Sequence, residues 1–133
     1  MREVSWLNGL VLESVGDPED HGQWLFRFER DHVLNLECPW RLTDRGAVVL
    51  GRCDHRQQFG LPKPVDAVSD LLHLLKGRMV ERTLVSEHGD LRLEFDGGMR
   101  LETFTESGGY ESWTLRTADG APIVARGSDG VLE

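Results

Sequence analysis

The chain has 133 residues, the usual size of one domain, and that length can bury roughly two-thirds of the unfolded surface in one core. A hydrophobic fraction of 39% is too high for a disordered chain, and no apolar run approaches the roughly 20 residues that cross a membrane. A formal net charge of −8 disfavours nucleic acid and anionic membranes as partners, because binding to them depends on Lys and Arg. We expect one cytoplasmic domain over residues 1–133, without a secretory leader.

The first half of the chain predicts mostly β-strands. Apolar and polar residues alternate with a period of two, typical of strands with one buried face, at residues 10–15, 25–29, 41–43 and 47–52. Residues 16–22 are acidic and contain helix breakers, and they predict an exposed, mobile loop. Arg30-Asp31-His32 should turn a hairpin without glycine, so we expect this turn to be built differently from a glycine turn.

One segment breaks the period-two pattern. From Pro64 to Lys76 apolar residues recur at helical spacing, which predicts a helix over about 64–76. Asp66 favours the positive N-terminal dipole, and Gly77 can end the helix in the left-handed conformation. Gly9 matches Gly77 in the repeat described below. We therefore expect a short turn or helix at residues 3–8, with positive φ at Gly9.

The second half returns to alternation. It predicts strands at residues 78–86, 91–95, 99–103, 111–117 and 122–126. Asp96-Gly97-Gly98 supplies the positive-φ residues of a tight hairpin between two of these strands.

The two halves also resemble each other. The matches occur in the same order in both halves: 7–13 with 75–81, 26–37 with 91–102, and Trp40 with Trp113. This order predicts an internal duplication, with repeats at about 6–51 and 74–127.

These elements predict an α+β fold, mostly antiparallel β, built from two duplicated β-hairpin units with one main helix and an approximate internal two-fold axis. Residues present in both copies are expected to build the fold. They are Trp40 and Trp113 as buried core anchors, and Arg27/Arg92 with Glu29/Glu94 as cross-strand ion pairs on an outer face.

The segment 51–60 has no counterpart in the second half. Its Cys53, Asp54 and His55 are residue types that ligate metals, and a thiolate near an imidazole can be a nucleophile. A zinc site needs four ligands at recognisable spacing, which this segment lacks. A solvated connector is the simpler interpretation, and we expect no metal and no cofactor. We keep these three residues as candidate binding residues.

The string GGYESWTL is the most distinctive short segment. Its Tyr110 and Glu111 could present an aromatic and acidic contact patch, while alternation favours burial of Trp113. Glu102, Glu106 and Glu111 could converge across a sheet, as general acid and base pairs require, but exposed strand faces carry such residues anyway. Neither a glycine-rich phosphate loop nor a nucleophile elbow occurs. An enzyme is therefore disfavoured, and we expect no catalytic residues.

Several short motifs together carry a family resemblance: Pro39-Trp40-Arg41-Leu42, Leu75-Lys76-Gly77, Gly89 to Phe95 with Gly97-Gly98, and Tyr110-Glu111-Ser112-Trp113. In these the chain resembles a family of small bacterial proteins of unknown function, frequent in actinobacteria. That family looks loosely like immunity proteins that neutralise bacterial toxins. The resemblance implies a fold and supplies no catalytic residues.

Three functional hypotheses follow. The first is a non-enzymatic protein-binding module, of the immunity type, whose acidic surface meets a basic toxin. The second is a homo-oligomeric structural protein that pairs through a sheet edge or the helix face. The third is a small-molecule binder or weak enzyme that uses the 51–60 segment.

Overall fold

The described part of the chain folds into two six-stranded antiparallel sheets with one α-helix, which confirms the predicted α+β class. The computed structural model describes residues 1–16 and 23–133. Most of the predicted acidic loop, from residue 17 to 22, lies outside the described residues. The helix α1 spans Ala67–Leu75, and the strands are β1 (Arg2–Val4), β2 (Leu12–Gly16), β3 (Trp24–Phe28), β4 (His32–Leu36), β5 (Trp40–Asp44), β6 (Ala47–Gly51), β7 (Val80–Val85), β8 (Leu91–Phe95), β9 (Met99–Thr103), β10 (Glu111–Arg116), β11 (Ile123–Arg126) and β12 (Gly130–Leu132).

Each half of the chain divides between the two sheets. Sheet I has the strand order β1-β7-β8-β9-β5-β6, and sheet II has the order β12-β11-β10-β4-β3-β2. The first half places β2, β3 and β4 in sheet II and sends β5 and β6 to sheet I. The second half places β7, β8 and β9 in sheet I and sends β10 and β11 to sheet II. Both sheets therefore depend on both halves of the chain.

The two tryptophans of the proposed repeat hold corresponding places where each half of the chain passes from one sheet to the other. Trp40 lies opposite Thr103, the last residue of β9, and Trp113 lies opposite Leu36, the last residue of β4. The gapless alignment of 26–37 with 91–102 is offset by two residues from the strands, because β3 begins at Trp24 where β8 begins at Leu91. A shared strand order can arise in other ways, so the duplication itself stays a prediction.

Both hairpin turns contain two consecutive residues with positive φ. Gly97 and Gly98 have φ of 79° and 87°, as predicted. In the other hairpin, Arg30 and Asp31 have φ of 58° and 57°. This turn contains no glycine, as predicted, and two non-glycine residues adopt the left-handed region there, because the twist of the paired strands favours a turn with two positive φ values.

The helix α1 closes one side of the molecule by contacting β2 of sheet II and β6 of sheet I. Asp66 caps it, accepting a hydrogen bond from Ser69 N at 3.2 Å, and Gly77 follows its end with φ of 70°. The helix starts three residues later than Pro64. In the described residues no helix is long and apolar enough to cross a membrane.

The N-terminal segment differs from its prediction. Gly9 has the expected positive φ of 82°, but residues 2–4 form strand β1 along the edge of β7, and only residues 6–9 form a turn. Gly9 N donates a hydrogen bond to Val80 O, and Val80 N donates one to Leu10 O. These two hydrogen bonds hold that turn in place. Long-range pairing with β7 explains the strand, since three residues carry too little local pattern to predict it.

The core lies between the sheets and contains both repeat tryptophans, as predicted. Trp40 of sheet I meets Trp24 of sheet II edge-on, with 5.0 Å between ring centroids. On the outer face of sheet I, Glu94 of β8 forms ion pairs with Arg82 of β7 at 3.2 Å and with Arg100 of β9 at 3.8 Å. Arg92 of β8 pairs with Glu102 of β9 at 3.7 Å, which confirms the cross-strand pairing there. Glu29 differs, because its carboxylate accepts a hydrogen bond from Val11 N at 2.8 Å.

Candidate functional site

A cleft of about 470 Å³ opens at the end of sheet II where β4, β10 and β11 meet. The two central strands meet there through a backbone hydrogen bond of 2.9 Å from Glu37 N to Ser112 O. Its described lining residues are rich in oxygen acceptors: Glu37, Cys38, Glu106, Ser107, Gly109, Tyr110, Glu111, Ser112 and Arg126. The cleft brings together Tyr110 and Glu111, which the sequence singled out, with residues from three other segments.

The carboxylate of Glu37 is held in place by a chain of amide side chains. Gln23 Nε2 donates to Glu37 Oε1 at 2.8 Å, and Asn35 Nδ2 donates to Gln23 Oε1 at 3.2 Å. Gln23 lies immediately before β3, Asn35 lies in β4 and Glu37 immediately follows it, so the pairing of these two strands sets their spacing. One oxygen of Glu37 is thereby occupied, and the other keeps its acceptor capacity.

The loop that carries Tyr110 is pinned by Ser107. The hydroxyl of Ser107 accepts hydrogen bonds from the backbone N–H groups of Gly109 at 3.1 Å and Tyr110 at 3.0 Å. Gly127 allows this loop to approach β11, because a Cβ atom there would collide with the backbone oxygen of Ser107. Tyr110 itself is 83% exposed. A fixed backbone thus presents a large, solvent-facing aromatic ring.

Ser112 is the most buried polar residue of the cleft, with 3% of its surface exposed. Its hydroxyl oxygen is not among the buried side-chain atoms that lack a hydrogen-bond partner in the part of the chain that the structure describes. Arg126, across the cleft, pairs with Asp129 at 3.1 Å. Ser112 therefore adds a polar group to the wall of the cleft.

Cys38 lines the same cleft but is a poor nucleophile. Burial raises the pKa of its thiol, although hydrogen bonds with the Phe104 backbone and the Thr103 side chain act in the opposite direction. A thiol with a raised pKa carries little thiolate at neutral pH, and the thiolate is the reactive form. None of the described lining residues is a histidine that could serve as its base. The arrangement suits binding better than covalent chemistry.

The candidate residues of segment 51–60 lie elsewhere and have structural partners. His55 Nδ1 accepts a hydrogen bond of 3.0 Å from Ala67 N at the start of α1, and its ring meets Trp24 edge-on at 5.3 Å. Asp54 Oδ2 accepts from Gly51 N at 2.8 Å. Cys53 is exposed, and no cluster of three metal-ligating side chains occurs within 1–16 and 23–133. The structure does not bring these residues to the cleft.

The sequence missed two features. Glu37 and Ser112 were not singled out as site residues, and nothing local distinguishes them, because their proximity depends on β4 pairing with β10. Phe59 was also missed, although the residue is 67% exposed and its φ is +48°. Of the acidic residues that could converge, Glu106 and Glu111 line the cleft, whereas Glu102 pairs with Arg41 at 3.2 Å.

A family model matches the chain over most of its length. The model of a family described as "Family of unknown function (DUF6188)" matches residues 6–132. No curated protein and no solved structure matches the chain.

Proposed function

The chain belongs to DUF6188, a family of unknown function, and from the geometry of its cleft we propose that it is a protein-binding module. The cleft takes a basic segment of a protein partner. The observation that carries this proposal is the fixed carboxylate of Glu37 in a cleft that also holds Glu106 and Glu111, beside the exposed ring of Tyr110.

Charge supports a basic partner. Three carboxylates line the cleft against one guanidinium, that of Arg126, and Asp129 already pairs with that guanidinium. The whole chain carries a formal net charge of −8. Complementary charge raises the rate of encounter and selects against acidic partners. A basic toxin neutralised by this chain is one partner of this chemistry, and we propose an immunity-type role on that ground.

The exposure of Tyr110 supports a protein as the partner. Tyrosine is enriched at protein interfaces, where it supplies a large contact area with few rotatable bonds. The hydrogen bonds to Ser107 fix the backbone beneath the ring, so little conformational freedom is lost when a partner covers it. Because Tyr110 is exposed, its ring contributes nothing to the core.

Self-association through a sheet edge is less well supported. The edge strands β1 and β12 are three residues long, and β2 and β6 each carry a bulge in their pairing with the next strand. Short and bulged edges are common protections against edge-to-edge pairing. Sedimentation of the purified protein tests this alternative, and a dimer that dissociates on dilution would favour it.

Affinity capture from a native lysate of the source organism tests the proposal. At low salt, we expect one protein in stoichiometric amount with the unaltered chain. Glu111→Lys should reduce the captured amount roughly tenfold, about 1.4 kcal/mol, because it places a positive charge at the cleft. Asp119→Lys makes the same charge change beyond the opposite end of β10 and should capture normally. Equal capture by both variants, or no captured protein at all, would contradict the proposal.

A further inference from the structure

We propose that the outer face of sheet I binds an extended, acidic segment of a protein. This inference goes beyond the proposed function, because it concerns a second surface and a partner segment of the opposite charge. It comes from the strand register of sheet I, from the ion-pair distances on its outer face, and from which charged side chains are most exposed there.

Two rows of charged side chains cross the outer face of sheet I. Each row has a glutamate in the middle and an arginine on the neighbouring strand at either side. They are Arg82, Glu94 and Arg100 in the first row, and Arg92, Glu102 and Arg41 in the second. The residues that alternate with them in β8 and β9 are buried, so both rows point away from the core. We call these six side chains the arginine face.

The arginines cover the glutamates on this face. The side chains of Glu94 and Glu102 are each 16% exposed, whereas the four arginine side chains are 31–50% exposed. Glu3 adds a carboxylate at the sheet edge, where it pairs with Arg82, and the arginines still outnumber the glutamates. A partner that approaches this face therefore meets mainly guanidinium groups, although the chain as a whole carries a net charge of −8.

The ion pairs of the arginine face leave guanidinium donors for a ligand. Arg100 Nε lies 3.8 Å from the Glu94 carboxylate and Arg92 Nη1 lies 3.9 Å from it, and both distances are too long for a hydrogen bond. Arg41 donates from Nε to Glu102 at 3.2 Å, which uses one of the five N–H donors of its guanidinium. The carboxylates of a partner can therefore form shorter, charge-assisted hydrogen bonds with these arginines.

Two of the arginines are held in place before a partner binds. The guanidinium carbon of Arg41 lies 4.7 Å from the centre of the Phe104 ring, a cation–π contact. Arg82 donates to Glu3 at 2.9 Å and to Glu94 at 3.2 Å. A side chain that is already restrained loses less conformational freedom when a partner binds it.

The spacing of the two rows suits the side chains of an extended peptide. The rows lie two residues apart along β8 and β9, which corresponds to about 6.6–6.8 Å. An extended peptide places every second side chain on one face at the same separation. Glutamates at alternate positions of such a peptide therefore reach both rows.

The limited size of the arginine face favours a short segment over a nucleic acid. At physiological ionic strength, charges more than about 8 Å away are largely screened, so a segment with a few carboxylates interacts mainly with the face. A nucleic acid carries charge along its whole length and extends over the acidic remainder of the surface. An open sheet surface also does not enclose a small anion, which needs a concave site.

Titration of the full-length, isotope-labelled chain with blocked peptides tests the inference by NMR. One peptide has glutamates at alternate positions separated by serines, and the matched peptide has glutamines in their place. Inorganic phosphate and a short single-stranded oligonucleotide are the other two probes. The amide signals of Arg92, Glu94 and Arg100 report on the arginine face, and those of Gly109 and Tyr110 report on the cleft.

The glutamate peptide should shift the signals of the arginine face at low salt and lose most of its affinity at high salt, and the glutamine peptide should not bind. None of the four arginines is among the described lining residues of the cleft, so the cleft signals should not move. No binding by the glutamate peptide would overturn this inference and leave the proposed function of the cleft intact. Tighter binding of phosphate or of the oligonucleotide would overturn the choice of an acidic protein segment.

Two variants separate recognition from folding. Arg100→Gln should weaken the glutamate peptide about two- to fivefold, because it removes one half-exposed guanidinium. Glu94→Gln should tighten the same peptide by a similar factor, since it removes the carboxylate that competes for three arginines. Arg116→Gln makes the same charge change at an exposed position of sheet II and should have no effect. Equal or weaker binding by a folded Glu94→Gln variant would overturn the inference, because a purely structural ion-pair network gains nothing from that loss.

Discussion

The two repeat tryptophans allow a direct comparison between packing and hydrogen bonding. Trp113 donates a hydrogen bond of 2.7 Å from Nε1 to the buried backbone oxygen of Gly89. Trp40 is also buried, but its Nε1 has no hydrogen-bond partner among the described residues. We compare Trp113→Phe with Trp40→Phe, which remove the same atoms from corresponding positions of the two sheets.

Packing and hydrogen bonding predict opposite orders for the stability that the two substitutions cost. Packing makes Trp40→Phe the costlier change, because Trp40 meets both Trp24 and Phe26, at 5.0 Å and 6.1 Å, whereas Trp113 meets Trp6 at 5.9 Å. An aromatic pair contributes roughly 0.5–1.5 kcal/mol, and phenylalanine keeps part of it. Trp113→Phe leaves the Gly89 oxygen buried without a donor, at a cost of about 1–3 kcal/mol.

Hydrogen bonding should therefore dominate, and Trp113→Phe should lower the free energy of unfolding by about 1–2 kcal/mol more than Trp40→Phe. Urea unfolding followed by circular dichroism measures both, and it avoids a fluorescence signal that the substitutions alter. A larger loss for Trp40→Phe would refute the reasoning, because it would mean that the orphaned Gly89 oxygen costs less than one aromatic contact.

Two further predictions concern the other candidate residues. His55→Phe should lower the free energy of unfolding by about 1–3 kcal/mol, because Ala67 N loses its acceptor; Cys53→Ser, an exposed change nearby, should have little effect, and urea unfolding checks both. In the folded protein a thiol reagent should modify Cys53 rapidly and Cys38 slowly, because Cys38 is buried and its thiol pKa is raised. The folded state holds the Cys38 proton more tightly than the unfolded chain does, so stability should fall as the pH rises past the ordinary thiol range, and Cys38→Ala should flatten that fall. Equal reactivity of the two thiols, or an identical pH profile in the variant, would contradict this account of Cys38.

Local sequence patterns predicted most of the fold. Alternation of period two located the main strands, and helical spacing located α1 to within three residues at its start. Both patterns are local consequences of backbone geometry, because the side chains of a strand alternate between faces and those of a helix recur every three or four residues. The glycine turn at Gly97 followed from the same kind of rule, whereas the positive φ of Gly9 was predicted from its match with Gly77 in the repeat.

Turn chemistry and short strands were harder to predict. Arg30 and Asp31 adopt the left-handed region although neither is glycine, since pairing of β3 with β4 imposes that conformation. The strands β1 and β12 have three residues each and lie at sheet edges. Their existence depends on neighbours that are distant in the chain, and three residues hold too few alternations to reveal them.

The candidate site, like the fold, was predicted from the sequence only in part. The sequence by itself determined that Tyr110 and Glu111 lie in a segment without a clear core role, and that the chain is acidic. Only the tertiary structure decided that Glu37 and Ser112 join them, because β10 leaves its own half of the chain and pairs with β4. Backbone hydrogen bonds are the same for every pair of strands, so a strand's sequence states which face is buried and not which strand lies beside it. Packing of the whole core decides which strands become neighbours, and the same packing forms the cleft.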